Sequence, residues 1–120
     1  MKMSIAGAVA LAVFTWAGTA EAQSRRAMAA QETGVAEIHS WVKVGRKTCM
    51  LDHFHDGSGT GRTKREAERA AIIAWSEFTA WEYGTPWGRY AIAASRSANC
   101  SQQSRGSWSC AVQALPCRPY

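Results

Sequence analysis

The spacing of apolar residues predicts one long helix in the second half of the chain. The residues that would form its buried face recur at intervals of four and three: Ala67, Ala71, Ala74, Phe78 and Trp81, with Ile73 at the edge and Ile72 and Trp75 on the flank. Thr63 and Glu66 form a T-x-x-E capping box before this run, and Gly84 occupies the place of a left-handed C-terminal cap. We therefore expect a helix over residues 63–83.

Other segments show the composition or the alternation that is typical of strands. Residues 38–44 and 47–54 are rich in β-branched, aromatic or apolar side chains. Apolar and small residues alternate near the C-terminus, with Trp108, Cys110, Val112 and Ala114 on one side. We expect residues 97–101 and 107–113 to pair as a hairpin around a polar loop at 102–106.

Two further segments complete the predicted fold. Residues 56–61 (DGSGTG) indicate a loop on composition alone. Thr85-Pro86 is typical of a helix start and predicts a short second helix that ends near Ser95. The sequence therefore predicts a single α+β domain over residues 35–120, with one long helix and one short helix packed on a few antiparallel strands.

The N-terminus has the pattern of a secretory signal peptide. Lys2 precedes an apolar run over residues 5–16, and Ala20-Glu21-Ala22 matches a small-x-small cleavage site. The apolar run is shorter than the roughly 20 residues that span a bilayer. We expect cleavage of residues 1–22, a flexible arm over 23–34, and a periplasmic or secreted protein with no transmembrane segment.

Charge and cysteine content agree with an exported domain. The formal net charge is +5 for the full chain, and it is unchanged when Lys2 and Glu21 are removed with the signal. Four cysteines in a small exported domain predict two disulfides, which stabilise a thin core. The hairpin favours Cys100–Cys110 together with Cys49–Cys117, and the alternative is Cys100–Cys117 with Cys49–Cys110.

Residues 49–118 resemble a known group of small bacterial proteins. The likeness begins at Asp52-His53-Phe54-His55 and continues through Trp75, Tyr83-Gly84 and Trp87. It ends in the pattern W-x-C-x₃-A-x-P-C, which runs from Trp108 to Cys117. The chain is similar here to exported bacterial proteins without an assigned function. The resemblance implies a free-standing secreted or periplasmic domain, and it implies no catalytic residue.

The segment 52–56 (DHFHD) holds the densest group of potential metal ligands. Alternate side chains of an extended segment share a face, so His53 and His55 could together bind Zn²⁺, Cu²⁺ or Ni²⁺. His39 is a candidate third ligand, and Asp52 could join only if the strand bends. The alternative is that the two histidines are hydrogen-bonded in a turn. Cys49 is an unsuitable ligand because we expect it in a disulfide.

Four basic residues crowd the start of the predicted helix and form a candidate anion-binding or partner-binding surface: Arg62, Lys64, Arg65 and Arg69. A helix start with basic neighbours can bind a phosphate or sulfate. An anionic envelope polymer or a protein is the expected partner, since no nucleic-acid-binding module is recognisable. The alternative is an ordinary solvated surface.

No residue pattern indicates catalysis. Residues 56–63 lack the first Gly and the Lys of a nucleotide-binding loop, and no serine lies in a nucleophile-elbow pattern. We expect Trp75, Trp81 and Trp108 in the core or on its flank, and Trp41 and Trp87 at the surface. The sequence therefore favours a non-enzymatic, cofactor-free binding protein. Metal binding is the second hypothesis and a small histidine-dependent hydrolase is the third.

Overall fold

The computed structural model describes residues 35–119. The predicted signal peptide over 1–22 and the predicted arm over 23–34 lie outside the described residues, as does Tyr120. Within the described residues, the first element is a 3₁₀ turn at Val35–Ile38 and the last is a short strand at Cys117–Pro119.

Six strands and one long helix form the described part of the chain. The strands are β1 (Trp41–Val44), β2 (Lys47–Met50), β3 (His55–Gly61), β4 (Ala94–Ser104), β5 (Ser107–Leu115) and β6 (Cys117–Pro119). The helix α1 covers Lys64–Tyr83, and 3₁₀ turns follow it at Thr85–Trp87 and Tyr90–Ile92. The strands make two antiparallel three-stranded sheets, in the orders β1-β2-β6 and β3-β5-β4. The α+β fold is thus as predicted.

Each sheet contains one disulfide between directly paired strands. Cys49 of β2 pairs with Cys117 of β6, and Cys100 of β4 pairs with Cys110 of β5. The Cα atoms are 4.0 Å apart in both bridges. The favoured connectivity is therefore confirmed, because the register of the strands sets each cysteine opposite its partner.

The helix lies very close to the glycine-bearing strand β3. A Cβ atom at Gly59 would lie 2.6 Å from the carbonyl carbon of Ala70, and one at Gly61 would lie 2.6 Å from the amide nitrogen of Ala67. Such distances are inside van der Waals contact, so only glycine fits at these positions. Ala67 and Ala71 of α1 are also small and fully buried. Small residues on both elements therefore allow the two backbones to approach each other.

The strand and the helix stay in register along their length. Every second residue of a strand faces the same side, at intervals of about 6.7 Å, and every fourth helical residue advances about 6 Å. Gly61 thus meets Ala67, Gly57 meets Trp75, and the next inward position on the strand is His55. The strand positions that pack closely against the helix therefore also place His55 against the second half of α1.

The buried face of α1 differs from the prediction. It is formed by every fourth residue, namely Ala67, Ala71, Trp75, Thr79 and Tyr83. Phe78 and Trp81, predicted to be buried, are 48% and 81% exposed. The prediction was right for Ala67 and Ala71 and wrong for the later positions. It followed apolar residues there, whereas the row opposite β3 includes the polar groups of Thr79 and Tyr83. Those groups can be buried because they are hydrogen-bonded to His55.

The strands predicted over 38–44 and 47–54 are shorter in the structure, at Trp41–Val44 and Lys47–Met50. Three further segments also differ from the prediction. Residues 56–61 belong to β3 rather than to a loop, since they pair with β5 over their whole length. The predicted short helix is two 3₁₀ turns, interrupted at Gly88-Arg89, and Ser95 lies in β4. The predicted hairpin loop at 102–106 narrows to Arg105-Gly106, because β4 continues to Ser104.

The division of the tryptophans between core and surface differs from the prediction. Trp75 is fully buried and Trp108 packs against the main core cluster. Trp87 was expected at the surface, but it is fully buried with Ala36, Met50 and Tyr83 in a second cluster under the sheet β1-β2-β6. Trp41 is 37% exposed, in agreement with the prediction. Within residues 35–119, no helix has the length and apolarity needed to cross a membrane.

We predict that Gly59→Ala destabilises the domain by about 2–3 kcal/mol or more, because the new methyl group would meet helix backbone that cannot move aside. The measurement is urea unfolding followed by circular dichroism. Ser58→Ala is the matched control, since Ser58 is exposed on the other side of the same strand. Equal stability of the two variants would contradict the close approach of β3 and α1.

Candidate metal centre

His55 is the buried centre of a polar cluster between β3 and α1. Its side chain is almost fully enclosed, with 3% of the residue exposed. Nδ1 lies 2.9 Å from the hydroxyl oxygen of Thr79, and Nε2 lies 2.9 Å from the hydroxyl oxygen of Tyr83. The indole Nε1–H of Trp75 donates to the backbone carbonyl of His55 at 3.0 Å. Three residues of one helix row therefore fix the position of this imidazole.

The hydrogen bonds determine which ring nitrogen of His55 carries the proton. Thr79 has one hydroxyl proton, and it donates this proton to the backbone carbonyl of Trp75 at 2.7 Å. The Thr79 oxygen must therefore accept from Nδ1–H of His55. In the neutral imidazole the lone pair is then on Nε2, which is the atom directed at Tyr83 and at Glu82.

The nature of the contact between His55 and Glu82 depends on the protonation state of the imidazole. Nε2 of His55 is 3.0 Å from Oε2 of Glu82. An ion pair would form if the imidazole were protonated, but burial lowers the pKa of His55 to about 4, and the neighbouring His53 lowers it further than Asp56 raises it. At neutral pH the Nε2 lone pair therefore accepts from the Tyr83 hydroxyl, and the Glu82 carboxylate oxygen lies beside the same nitrogen. A bound cation would attract both the nitrogen and the carboxylate.

His53 completes a group of three potential ligands. It lies two residues before His55, with the ring centroids 5.2 Å apart. One ligand atom from each of His53, His55 and Glu82 lies within 4.8 Å of the others. The structure thus brings together the two histidines that the sequence singled out, and it adds a carboxylate from the end of α1.

The other two candidate ligands from the sequence lie beside this group and not within it. His39 stacks near His53 with a centroid separation of 4.4 Å, and its Nε2 is 3.4 Å from the Tyr83 hydroxyl oxygen. Asp52 is exposed and lines an open cavity of about 270 Å³ together with His39 and His53. These two residues therefore border the site on its solvent side.

Glu82 was missed by the sequence reasoning. In the sequence, most of the helix lies between it and His55. The face of α1 that was predicted to be buried also did not include Tyr83. The alternation of side chains along the strand does contain a signal. If residues 55, 57, 59 and 61 are placed on the face that packs against the helix, Thr79 and Tyr83 lie opposite His55. Glu82 directly precedes Tyr83 and lies on the partly exposed side of this row.

Burial also changes the pKa of Tyr83, which packs against His55. Its ring stacks on His55 at a centroid distance of 4.7 Å and contacts Trp87 in the second core cluster. Burial raises the pKa of the Tyr83 hydroxyl well above its usual range, and the nearby Glu82 charge acts in the same direction. Tyr83 is therefore a neutral phenol that can donate its proton to Nε2 of His55.

The basic residues at the start of α1 form a separate, exposed group. Arg62, Lys64, Arg65 and Arg69 all lie at the surface. The Arg62 side chain approaches Glu66 at 3.7 Å, and its backbone N–H donates to the Glu66 carboxylate at 2.9 Å. Thr63 caps the helix by accepting from the Glu66 N–H at 3.1 Å. Binding of an anionic partner at this surface stays a prediction.

Comparison of the chain with protein-family models, with curated proteins and with solved structures finds no match in any of the three. The chemistry of the site is therefore argued from its own geometry.

We predict that the metal-free protein loses stability as the pH falls from about 6.5 towards 4. The unfolded chain takes up a proton on His55 near its ordinary pKa of 6.5, whereas the folded-state pKa is about 4. Acid therefore favours the unfolded state, and the full difference amounts to about 3 kcal/mol. Urea unfolding at a series of pH values, with a chelator present, measures this loss.

His55→Gln provides the control for this pH dependence. Glutamine does not titrate, so the variant should lack the part of the acid sensitivity that arises from His55, whatever its stability at neutral pH. The same slope of stability against pH in both proteins would contradict the assignment to this residue.

Proposed function

We propose that the protein binds one divalent transition-metal ion through His53, His55 and Glu82. The observation that carries this proposal is the 3.0 Å approach of Nε2 of His55 to the Glu82 carboxylate, in a setting where burial keeps the imidazole neutral. A cation placed between the two atoms would be attracted by both of them.

The distances suit a metal ion with short bonds to nitrogen and oxygen. Ligand atoms about 2.0–2.1 Å from a tetrahedral Zn²⁺ are about 3.3 Å from one another. The His55–Glu82 distance of 3.0 Å is near this value, and the limit of 4.8 Å within the group requires only a small movement of His53. His53 and Glu82 are both partly exposed, so their side chains have room for that movement.

The ligand types favour zinc, copper or nickel over calcium or magnesium. Two imidazoles and one carboxylate form a set that borderline transition metals prefer, whereas Ca²⁺ and Mg²⁺ require mostly oxygen ligands. Three protein ligands also leave a coordination position open to water or to another molecule. The cavity beside His53 provides space on that side of the site.

The surroundings of His55 support metal binding in a second way. Metal-ligating histidines commonly donate their other ring N–H to a fixed acceptor, which holds the ring orientation and the tautomer. Nδ1–H of His55 has such an acceptor in Thr79, which is itself held by the Trp75 carbonyl. Tyr83 competes for Nε2 in the metal-free state, so binding requires that its hydroxyl turns away from this nitrogen.

We predict one equivalent of bound Zn²⁺ per chain in protein purified without a histidine tag. Both His53→Ala and Glu82→Gln should weaken the affinity at least tenfold, which corresponds to about 1.4 kcal/mol, because each removes one ligand. Isothermal titration calorimetry measures the affinity. Stabilisation of the fold by about 2.7 kcal/mol at a free zinc concentration of 100 times Kd gives an independent readout.

Glu77→Gln is the matched control for Glu82→Gln. It removes an exposed carboxylate from the same helix, at a position outside the ligand group. Its zinc affinity should equal that of the original protein. Absence of saturable binding of Zn²⁺, Cu²⁺ and Ni²⁺, or equal affinities in the Glu82→Gln and Glu77→Gln variants, would contradict the proposal.

A further inference from the structure

A second cavity lies on the sheet β1-β2-β6, away from the histidine cluster. It has a volume of about 290 Å³, and its surface is mostly apolar. The lining residues are Val44, Arg46, Lys47, Arg89, Ile92 and Pro119. Three of them are apolar and three carry a positive charge, and none is acidic. The cavity therefore combines an apolar surface with a positive potential.

Local structure explains why the three cations converge. Val44 pairs with Lys47 at the end of the β1–β2 hairpin, and the turn between them consists of Gly45 and Arg46. Gly45 has a φ of 62°, a conformation that glycine adopts without strain and that closes this tight turn. Arg89 comes from a different part of the chain, where it directly precedes the 3₁₀ turn at Tyr90–Ile92.

The lysine is held in place while the arginines remain at the surface. Nζ of Lys47 donates to the backbone carbonyl of Ile92 at 2.8 Å, which uses one of its three protons. Arg46 and Arg89 are exposed. Among the described residues, the ion pair between an arginine and a carboxylate is Arg62–Glu66, so neither Arg46 nor Arg89 has a carboxylate partner there.

We propose that this cavity binds a small amphipathic anion, in which a carboxylate or similar acidic group is attached to a short apolar tail. The head group would be held by Arg46, Lys47 and Arg89 through charge-assisted hydrogen bonds, which are the stronger class of such bonds. The tail would lie on Val44, Ile92 and Pro119. The cavity has a volume of about 290 Å³ and opens to solvent, so the short chain of octanoate has room on its apolar lining.

This inference does not depend on the metal site, and octanoate is the probe that tests it. Calorimetric titration should show saturable binding of octanoate. Acetate lacks the tail and octanol lacks the charge, so both should bind at least tenfold more weakly. Saturation by octanol with the affinity of octanoate would overturn the role of the cations, and absence of octanoate binding would overturn the proposal.

Paired variants locate the binding on the molecule. Arg46→Gln/Arg89→Gln should weaken octanoate binding at least tenfold. Arg96→Gln/Arg105→Gln removes the same charge from exposed positions in β4 and in the turn that follows it, and it should leave the affinity unchanged. Equal weakening by the two double variants would overturn the proposal, since it would indicate a general effect of net charge. Co-sedimentation with phosphatidylglycerol vesicles, without octanoate binding, would overturn it in favour of a membrane surface.

Discussion

The close contact between the glycine-bearing strand β3 and the helix α1 is the constraint on which the rest of the structure depends. Glycine and alanine on the facing positions bring two backbones together and align their residue intervals. This alignment fixes the rotation of α1, because only its every-fourth-residue row can face the strand. It also fixes the contacts of His55, which is the next residue of β3 that faces the helix beyond the glycines. His55 contacts Thr79 and Tyr83.

The sheet β1-β2-β6 has a different role, which is to cover Tyr83 at the end of the polar cluster around His55. Met50 of β2 and Ala36 are buried with Tyr83 and Trp87, so the sheet closes over the tyrosine that touches His55. The Arg118 side chain lies over the rings of Trp41 and Trp87, at 5.2 and 5.7 Å from their centroids, which joins β6 to the same cluster. The disulfide between Cys49 and Cys117 holds β2 and β6 together beneath it. The burial that keeps His55 neutral therefore depends on both sheets.

The sequence was informative at three places where the signal was local. The cap at Thr63, the end of the helix at Gly84 and the pairing of Cys100 with Cys110 depend on residues near one another in the chain, and all three are found. The rotation of α1 could not be obtained in this way, because it depends on the facing strand. A sequence pattern places Trp81 in the core because the side chain is apolar, and it places residues 56–61 in a loop because three of them are glycine. Both errors arise from ignoring the contact between these two elements.

The same reasoning separates what the sequence could and could not indicate about the candidate metal centre. His53 and His55 were recognisable because residues two apart in a strand share a face. Glu82 was not, because its place depends on the rotation of α1. In the arrangement that results, a carboxylate oxygen of Glu82 lies 3.0 Å from Nε2 of His55, and the Tyr83 hydroxyl donates to the same nitrogen. Thr79 and Tyr83 enclose the ring on its buried side. The open side, where His53 and Glu82 are partly exposed, is therefore the side from which a cation would enter.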